Sequence, residues 1–291
     1  MKRFIVKFLF LALCVLVITI ILSLVAYNST PKKRYGPEVF RAIKVANTYT
    51  PDANTLILGD SVANQIFSVA KPSMPKEFAI AVSNQAITPM GNLLLLKQWL
   101  SLNPQAKEVI YVVLPGSLAN DGSVKFTFHY FIHPFSEAEW LSRLDSEAMT
   151  HLENRFGWLV VNNKSLRHLL YRNDRLYQFY ESYLIKKPSK VLRSDGLSKV
   201  VINQLVEMQK ICISKGVKFT IKFPPLSHTP HNEFATSVAS QLDEVFPEMP
   251  NPFDKIMVIN PSNFRDEVHY TKEFLDENAL YVREFLGFSV Q

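Results

Sequence analysis

Only two cysteines occur in the 291 residues, and one of them, Cys14, lies inside a long apolar run. Cys212 therefore has no partner in the rest of the chain, which excludes an internal disulfide framework. It falls with Val201, Leu205 and Met208 at helical spacing, so a buried, inert thiol is expected there. No internal repeat or low-complexity tract is present, and an apolar content of 47% excludes a disordered or fibrous chain. Charge of one sign is scarcely in excess, at a net +6. The length suits one large domain plus an appendage.

The appendage is at the start. Residues 8–26 are uncharged and rich in Leu, Ile and Val, enough as a helix to cross roughly 30 Å of hydrocarbon. Such a run is a membrane segment or a signal peptide. Its length, and Leu24 where a cleavage site after Ala26 would want a small residue, favour a retained anchor over residues 1–27. Lys2, Arg3 and Lys7 before the run are matched by Lys32, Lys33 and Arg34 after it, so flanking charge hardly orients it. A short tail ahead of a signal-like span stays in the cytoplasm, which would put everything beyond residue 28 outside. Nucleic acid is not an expected partner of a chain exported in this way.

Residues 28–50, with Pro31 and Pro37, read as a linker, and 51–291 as the main domain. There, apolar runs of strand length at 55–58, 78–82, 109–114, 217–223 and 256–259 alternate with helix-length patterns, among them 90–102, 197–215 and 272–286. The alternation predicts an α/β fold with a five-stranded parallel sheet covered by helices on both faces. From about 122 to 195 no strand is evident, and an aromatic-rich helical insertion is expected. Lys164, Arg167, Arg172 and Arg175 lie on a helix within it, with Lys186, Lys187, Lys190 and Arg193 following. They read as a solvated face, with contact to anionic lipid or an acidic glycan as the functional alternative.

Ligands of such sheets bind beyond the carboxyl ends of the strands, so the residues closing each strand are the informative ones. The first strand closes with Gly59-Asp60-Ser61. Ser61 there can be a nucleophile beside the exposed N–H groups of a helix start, and Asp60 or Ser61 can equally be a plain N-cap. The last run is followed by Asp266 and His269, three positions apart before the final helix. An imidazole can take the proton of a serine, and a carboxylate fixes the ring tautomer. One signal closes the first strand and the other closes the last, in the order Ser, Asp, His.

This pairing resembles the SGNH, or GDSL-like, hydrolase superfamily over residues of about 52–288. The resemblance implies a three-layer α/β/α, flavodoxin-like sandwich, with Ser61 as nucleophile, His269 as general base and acid, and Asp266 as its orienting partner. It also implies an oxyanion hole from the Ser61 N–H, a main-chain N–H after the second strand and an asparagine side chain. In "SNQAITPMG" Asn84 begins the second block, Thr88 stands near the expected glycine, and Gly91 serves if the loop is longer. The third block, "PGSLAND", lacks Gly-x-Asn-Asp at the strand end, leaving Asn120 or Asn84 to supply the amide.

Anchored, exported SGNH-like proteins that modify envelope polymers have similarly irregular middle blocks, and several work beside a membrane-bound O-acyltransferase. The resemblance therefore implies a serine esterase or acyltransferase acting on an acylated glycan or lipid, attached to the membrane through its N-terminal helix. A non-catalytic accessory protein of such an acyltransferase and a lysophospholipase are the alternatives. No cofactor is expected. Neither is a metal: His129 and His133 have a chelating spacing, but Pro134 follows immediately and aromatic packing is the expected role. The stretch "FPPLSHTPH", 223–231, is expected to line the cleft, and for His228 and His231 substrate contact and plain exposure are both open.

Overall fold

The computed structural model describes residues 2–28, 36–122, 126–183 and 196–288. Its strands are β1 Thr55–Gly59, β2 Phe78–Val82, β3 Glu108–Val112 and β4 Lys218–Lys222. The helices, in chain order, are α1 Lys2–Asn28, α2 Pro37–Ala46, α3 Ser61–Asn64, α4 Thr88–Leu102, α5 Pro115–Leu118, α6 His133–Glu137, α7 Ser146–Phe156, α8 Trp158–Asn162, α9 Lys164–Arg172, α10 Asp174–Tyr183, α11 Lys199–Ser214, α12 Asn232–Val245 and α13 Lys272–Phe285. The chain divides into two compact units, one of Met1–Tyr35 with Met149–Lys187 and one of Gly36–Ala148 with Pro188–Gln291.

In the first unit α1 lies beside α9. Among the described residues no helix is long and apolar enough to cross a membrane. Arg167, expected on a solvated face, is buried and donates to the carbonyls of Val160 and Val161 at the end of α8. Its neighbours in the basic segment, Lys186, Lys187, Lys190 and Arg193, lie outside the described residues.

The second unit is built on a parallel sheet ordered β2-β1-β3-β4. β1 is central because it is short, fully buried and flanked on both sides: Ile57 pairs with Ile80 of β2 and Ile110 of β3. Alternation along the strands sends Ile57, Ile110 and Val112 toward one core with Val62, Ile66, Phe67, Leu275 and Val282 from α3, the π-turn after it and α13. On the other side, α2 contacts β2, α4 contacts β1, and α11 contacts α4 and β4. Cys212 sits in α11 and is buried, and burial pushes its thiol up to about 12, consistent with an inert packing role.

The sheet has four strands and not the expected five. Residues 256–259 make a single parallel bridge, Val258 with Leu226, in which Leu226 donates to Met257 and receives from Ile259. Pro224 and Pro225 follow β4, and a residue without an N–H cannot extend the ladder, so pairing resumes only at Leu226. On the other strand Pro252 and Pro261 start 3₁₀ turns that bracket the run. The expected linker is also shorter than 28–50, for 37–46 is α2, burying Val39, Ala42 and Ala46 against the sheet unit. Pro37, taken as a loop signal, occupies the first helical turn, where its missing N–H costs nothing. Residues 29–35 of that linker lie outside the described residues.

Candidate active site

Asp60 and Ser61 divide the two roles left open by the sequence. Asp60 is the N-cap: its Oδ1 accepts from Val62 N at 3.0 Å and Ala63 N at 3.3 Å. Its Oδ2 accepts from Leu114 N at 2.9 Å, tying the end of β1 to the end of β3. Burial pushes this carboxyl up from its ordinary range, and the Leu114, Ser117, Ala63 and Val62 donors pull it back. Gly59 before it is needed for space, since a Cβ there would stand 2.3 Å from the Val112 carbonyl and 2.4 Å from Ala63 Cβ. Ser61, relieved of capping, is the first residue of α3 and only partly buried.

The partner of Ser61 comes from a loop closed at its base by the antiparallel bridge Phe264–Tyr270 and by Arg265 N donating to His269 O at 2.7 Å. Within it Asp266 Oδ1 accepts from Val268 N at 3.1 Å and His269 N at 2.8 Å, a side-chain turn that brings the ring at the third position back over the carboxylate. His269 Nδ1 lies 3.0 and 2.9 Å from the two Asp266 oxygens. Its Nε2 lies 2.9 Å from Ser61 Oγ. Burial alone would raise the Asp266 carboxyl, but the His269 and Val268 N–H groups and the His269 ring hold it well below the usual carboxylate range. An ionised carboxylate only accepts, so Nδ1 carries the proton and Nε2 offers a lone pair to the Ser61 hydroxyl.

Further residues hold the loop in place. Gln65, one turn beyond Ser61, gives its Nε2 to Tyr270 O at 3.2 Å and receives Tyr270 N on Oε1 at 3.1 Å. The Tyr270 hydroxyl donates to Pro225 O at 2.7 Å. Ser227 Oγ donates to Glu267 O at 2.6 Å and lies 2.8 Å from His228 Nδ1. Of these, only His228 and its 223–231 stretch were singled out from the sequence. Gln65 stands at i+4 from Ser61 and so shares its helix face, a position that marks the residue but not its partner.

The five oxyanion candidates separate clearly. The Ser61 N–H has no acceptor among the described residues. Asn84 stands level with Ser61, since β1 and β2 pair Gly59 with Val82 and each residue lies two beyond. Its Oδ1 accepts from Ala86 N at 3.0 Å, and its amide N–H groups have no acceptor among the described residues. Thr88 gives its N–H to Gln85 O and so does not offer it to a ligand. At φ 64° and ψ 169° it occupies backbone space that glycine favours, which explains why the resemblance wanted glycine near this position. Gly91 is interior to α4, where a Cβ would meet Phe131 and Phe135. Asn120 is buried, with Nδ2 on Gln85 O at 3.0 Å and Oδ1 on Gly122 N at 3.0 Å, and it serves to hold the Asn84–Thr88 turn.

A cavity of about 650 Å³ adjoins the His269 loop, and Leu114, Ser117, Leu226, His228, Phe264 and Val268 are among the residues that line it. His228 and His231 both line it, as does most of the 223–231 stretch. His129 and His133 are buried beside Phe128, at ring distances of 5.2 and 6.5 Å, and burial draws His129 down to about 4. Comparison of the chain with known protein families, curated proteins and solved structures finds no match.

Proposed function

We propose that the protein is a serine-dependent acyl-transfer enzyme, an O-acyl esterase or acyltransferase of the SGNH type working through an acyl-Ser61 intermediate. The observation that carries this is the continuous chain Ser61 Oγ to His269 Nε2 at 2.9 Å and His269 Nδ1 to Asp266 at 2.9 Å. In the first half-reaction the Ser61 proton passes to Nε2 as Oγ attacks the ester carbonyl. The tetrahedral oxyanion meets the Ser61 N–H and the Asn84 amide, and Asp266 steadies the imidazolium. Collapse expels the alcohol, which takes the proton from Nε2. In the second half an acceptor hydroxyl gives its proton to Nε2 and attacks the acyl carbon, freeing Ser61. Water as acceptor gives an esterase, and a sugar hydroxyl of a cell-envelope glycan gives a transferase.

The same reading makes residues 8–26 a membrane anchor that keeps the domain outside the cytoplasm. A non-catalytic accessory role is the second reading, favoured by the commitment of the Thr88 N–H and the Asn120 amide to internal bonds. A fluorophosphonate probe on the full-length chain separates the two. Wild-type protein is expected to be labelled at Ser61, with Ser61→Ala and His269→Ala unlabelled. Absence of labelling in correctly folded wild type would sink the catalytic reading and leave the accessory one.

A further inference from the structure

Resting on the acyl-Ser61 reading, we infer that the acyl group is an uncharged apolar chain of medium length, about six to ten carbons, and not acetyl, and that it lies in the cavity beside the triad. The cavity adjoins the reacting groups through residues that touch or neighbour them. Val268 and Glu267 precede His269 in its loop, and Leu114 is the residue whose N–H is bonded to Asp60, the neighbour of Ser61. Its floor is apolar and buried, formed by Leu114, Leu226, Phe234 and Phe264, each less than 10% exposed.

Size argues against acetyl. About 650 Å³ is within the range that encloses a drug-sized ligand. A two-carbon acyl group would leave most of that apolar floor wet, whereas each further methylene placed on it is removed from water and favours binding. Charge argues against an anionic occupant. The exposed rim carries the carboxylates of Glu233 and Glu267, with His228 and His231, and among the described residues no lysine or arginine lines the cavity. The Ser227 hydroxyl, spent as a donor on the Glu267 carbonyl, accepts from the His228 Nδ1–H, so the neutral ring presents Nε2 as an acceptor. A phosphate, sulfate or uronate would meet carboxylates and acceptors there, with no lysine or arginine among the described lining residues to compensate it.

The test uses the full-length chain with p-nitrophenyl esters from acetyl to dodecanoyl, together with the mono-succinyl ester and a peracetylated sugar. The expected result is a kcat/KM that rises at least about 10-fold from acetyl to octanoyl and falls again by dodecanoyl, with the succinyl ester at least about 10-fold below butyryl. Leu226→Trp, which fills the floor, should lower the octanoyl-to-acetyl ratio at least about 5-fold. A flat profile, a maximum at acetyl, or faster turnover of the sugar acetate than of the octanoyl ester overturns the inference. If Ser61 still takes the fluorophosphonate in that case, the catalytic reading survives and only the chain length is wrong. If no ester reacts and Ser61 is unlabelled, both fall.

Discussion

Asp60 carries the structural load at the end of β1, and Ser61 is left free for chemistry. Their alanine variants should therefore behave oppositely. Ser61→Ala gives up a single partly buried hydrogen bond, and its unfolding free energy from urea titration should change by no more than about 1 kcal/mol while labelling at the site is lost. Asp60→Ala strips the acceptor from three buried N–H groups and should cost about 2–4 kcal/mol in the same titration. Asp266→Asn probes the third residue. The amide cannot match the carboxylate's hold on the imidazolium, so kcat should fall about 10³–10⁴-fold with little change in KM. Its acid behaviour has a definite sign. A carboxyl depressed in the folded state stabilises above the ordinary carboxylate range, near 4, and that stabilisation is lost as the pH falls through the depressed value. The stability of Asp266→Asn should consequently vary less with pH below about 4 than that of wild type, in urea titrations run at a series of pH values. The side chain is 44% exposed, so the difference should shrink in high salt.

At the level of elements, the nucleophile's helix and the histidine's loop are joined by one side-chain amide. Gln65 pairs with the Tyr270 backbone as a neighbouring strand would, and that pairing sets the spacing between Ser61 and His269. Gln65→Leu should leave the fold intact at a cost of about 1–2 kcal/mol and lower kcat about 10-fold at nearly constant KM, as measured by steady-state esterase kinetics. A purely structural role would show the stability loss without that split. This joint was not legible in the sequence, because an amide bonded to a main chain 205 residues away leaves no pattern near itself. Ser61 was legible because it closes a strand-length apolar run, Asp266 and His269 because they follow the last such run, and the paired strands because β1, β2 and β3 are near-continuous apolar runs while β4 alternates apolar and polar residues. The fifth run was apolar enough to read as a strand, yet its neighbours Pro224 and Pro225 deny it a ladder. α2 was hidden for the converse reason, since only Val39, Ala42 and Ala46 of its ten residues are buried and its proline and charges resemble a linker. Thr88 concealed a glycine-type turn behind a β-branched residue, held by its own Oγ1 on Met90 N and by Asn92 on its carbonyl.

Across the whole molecule, the support for α3 comes from the far end of the chain. Arg283 of α13 is fully buried and donates to the carbonyls of Ile66, Ala70 and Pro72, which terminate the π-turn after α3 and the segment that follows it. One guanidinium thus satisfies carbonyls that a helix end leaves without partners. Arg283→Met keeps the length and removes every donor, and should lower stability by at least about 2 kcal/mol in urea titration, with Arg283→Lys recovering only part.

The separation of 208 positions between Ser61 and His269 also fixes when the site can exist. A chain is made and threaded from its N-terminus, so Ser61 emerges early and remains an unassisted hydroxyl while the strands, the helical insertion and α11 follow. Its base arrives only with the 264–270 loop, and the prop for its helix only with α13. On the proposed acyl-Ser61 reading, the nascent protein is accordingly silent toward esters throughout synthesis, and becomes competent in the same step that completes its fold.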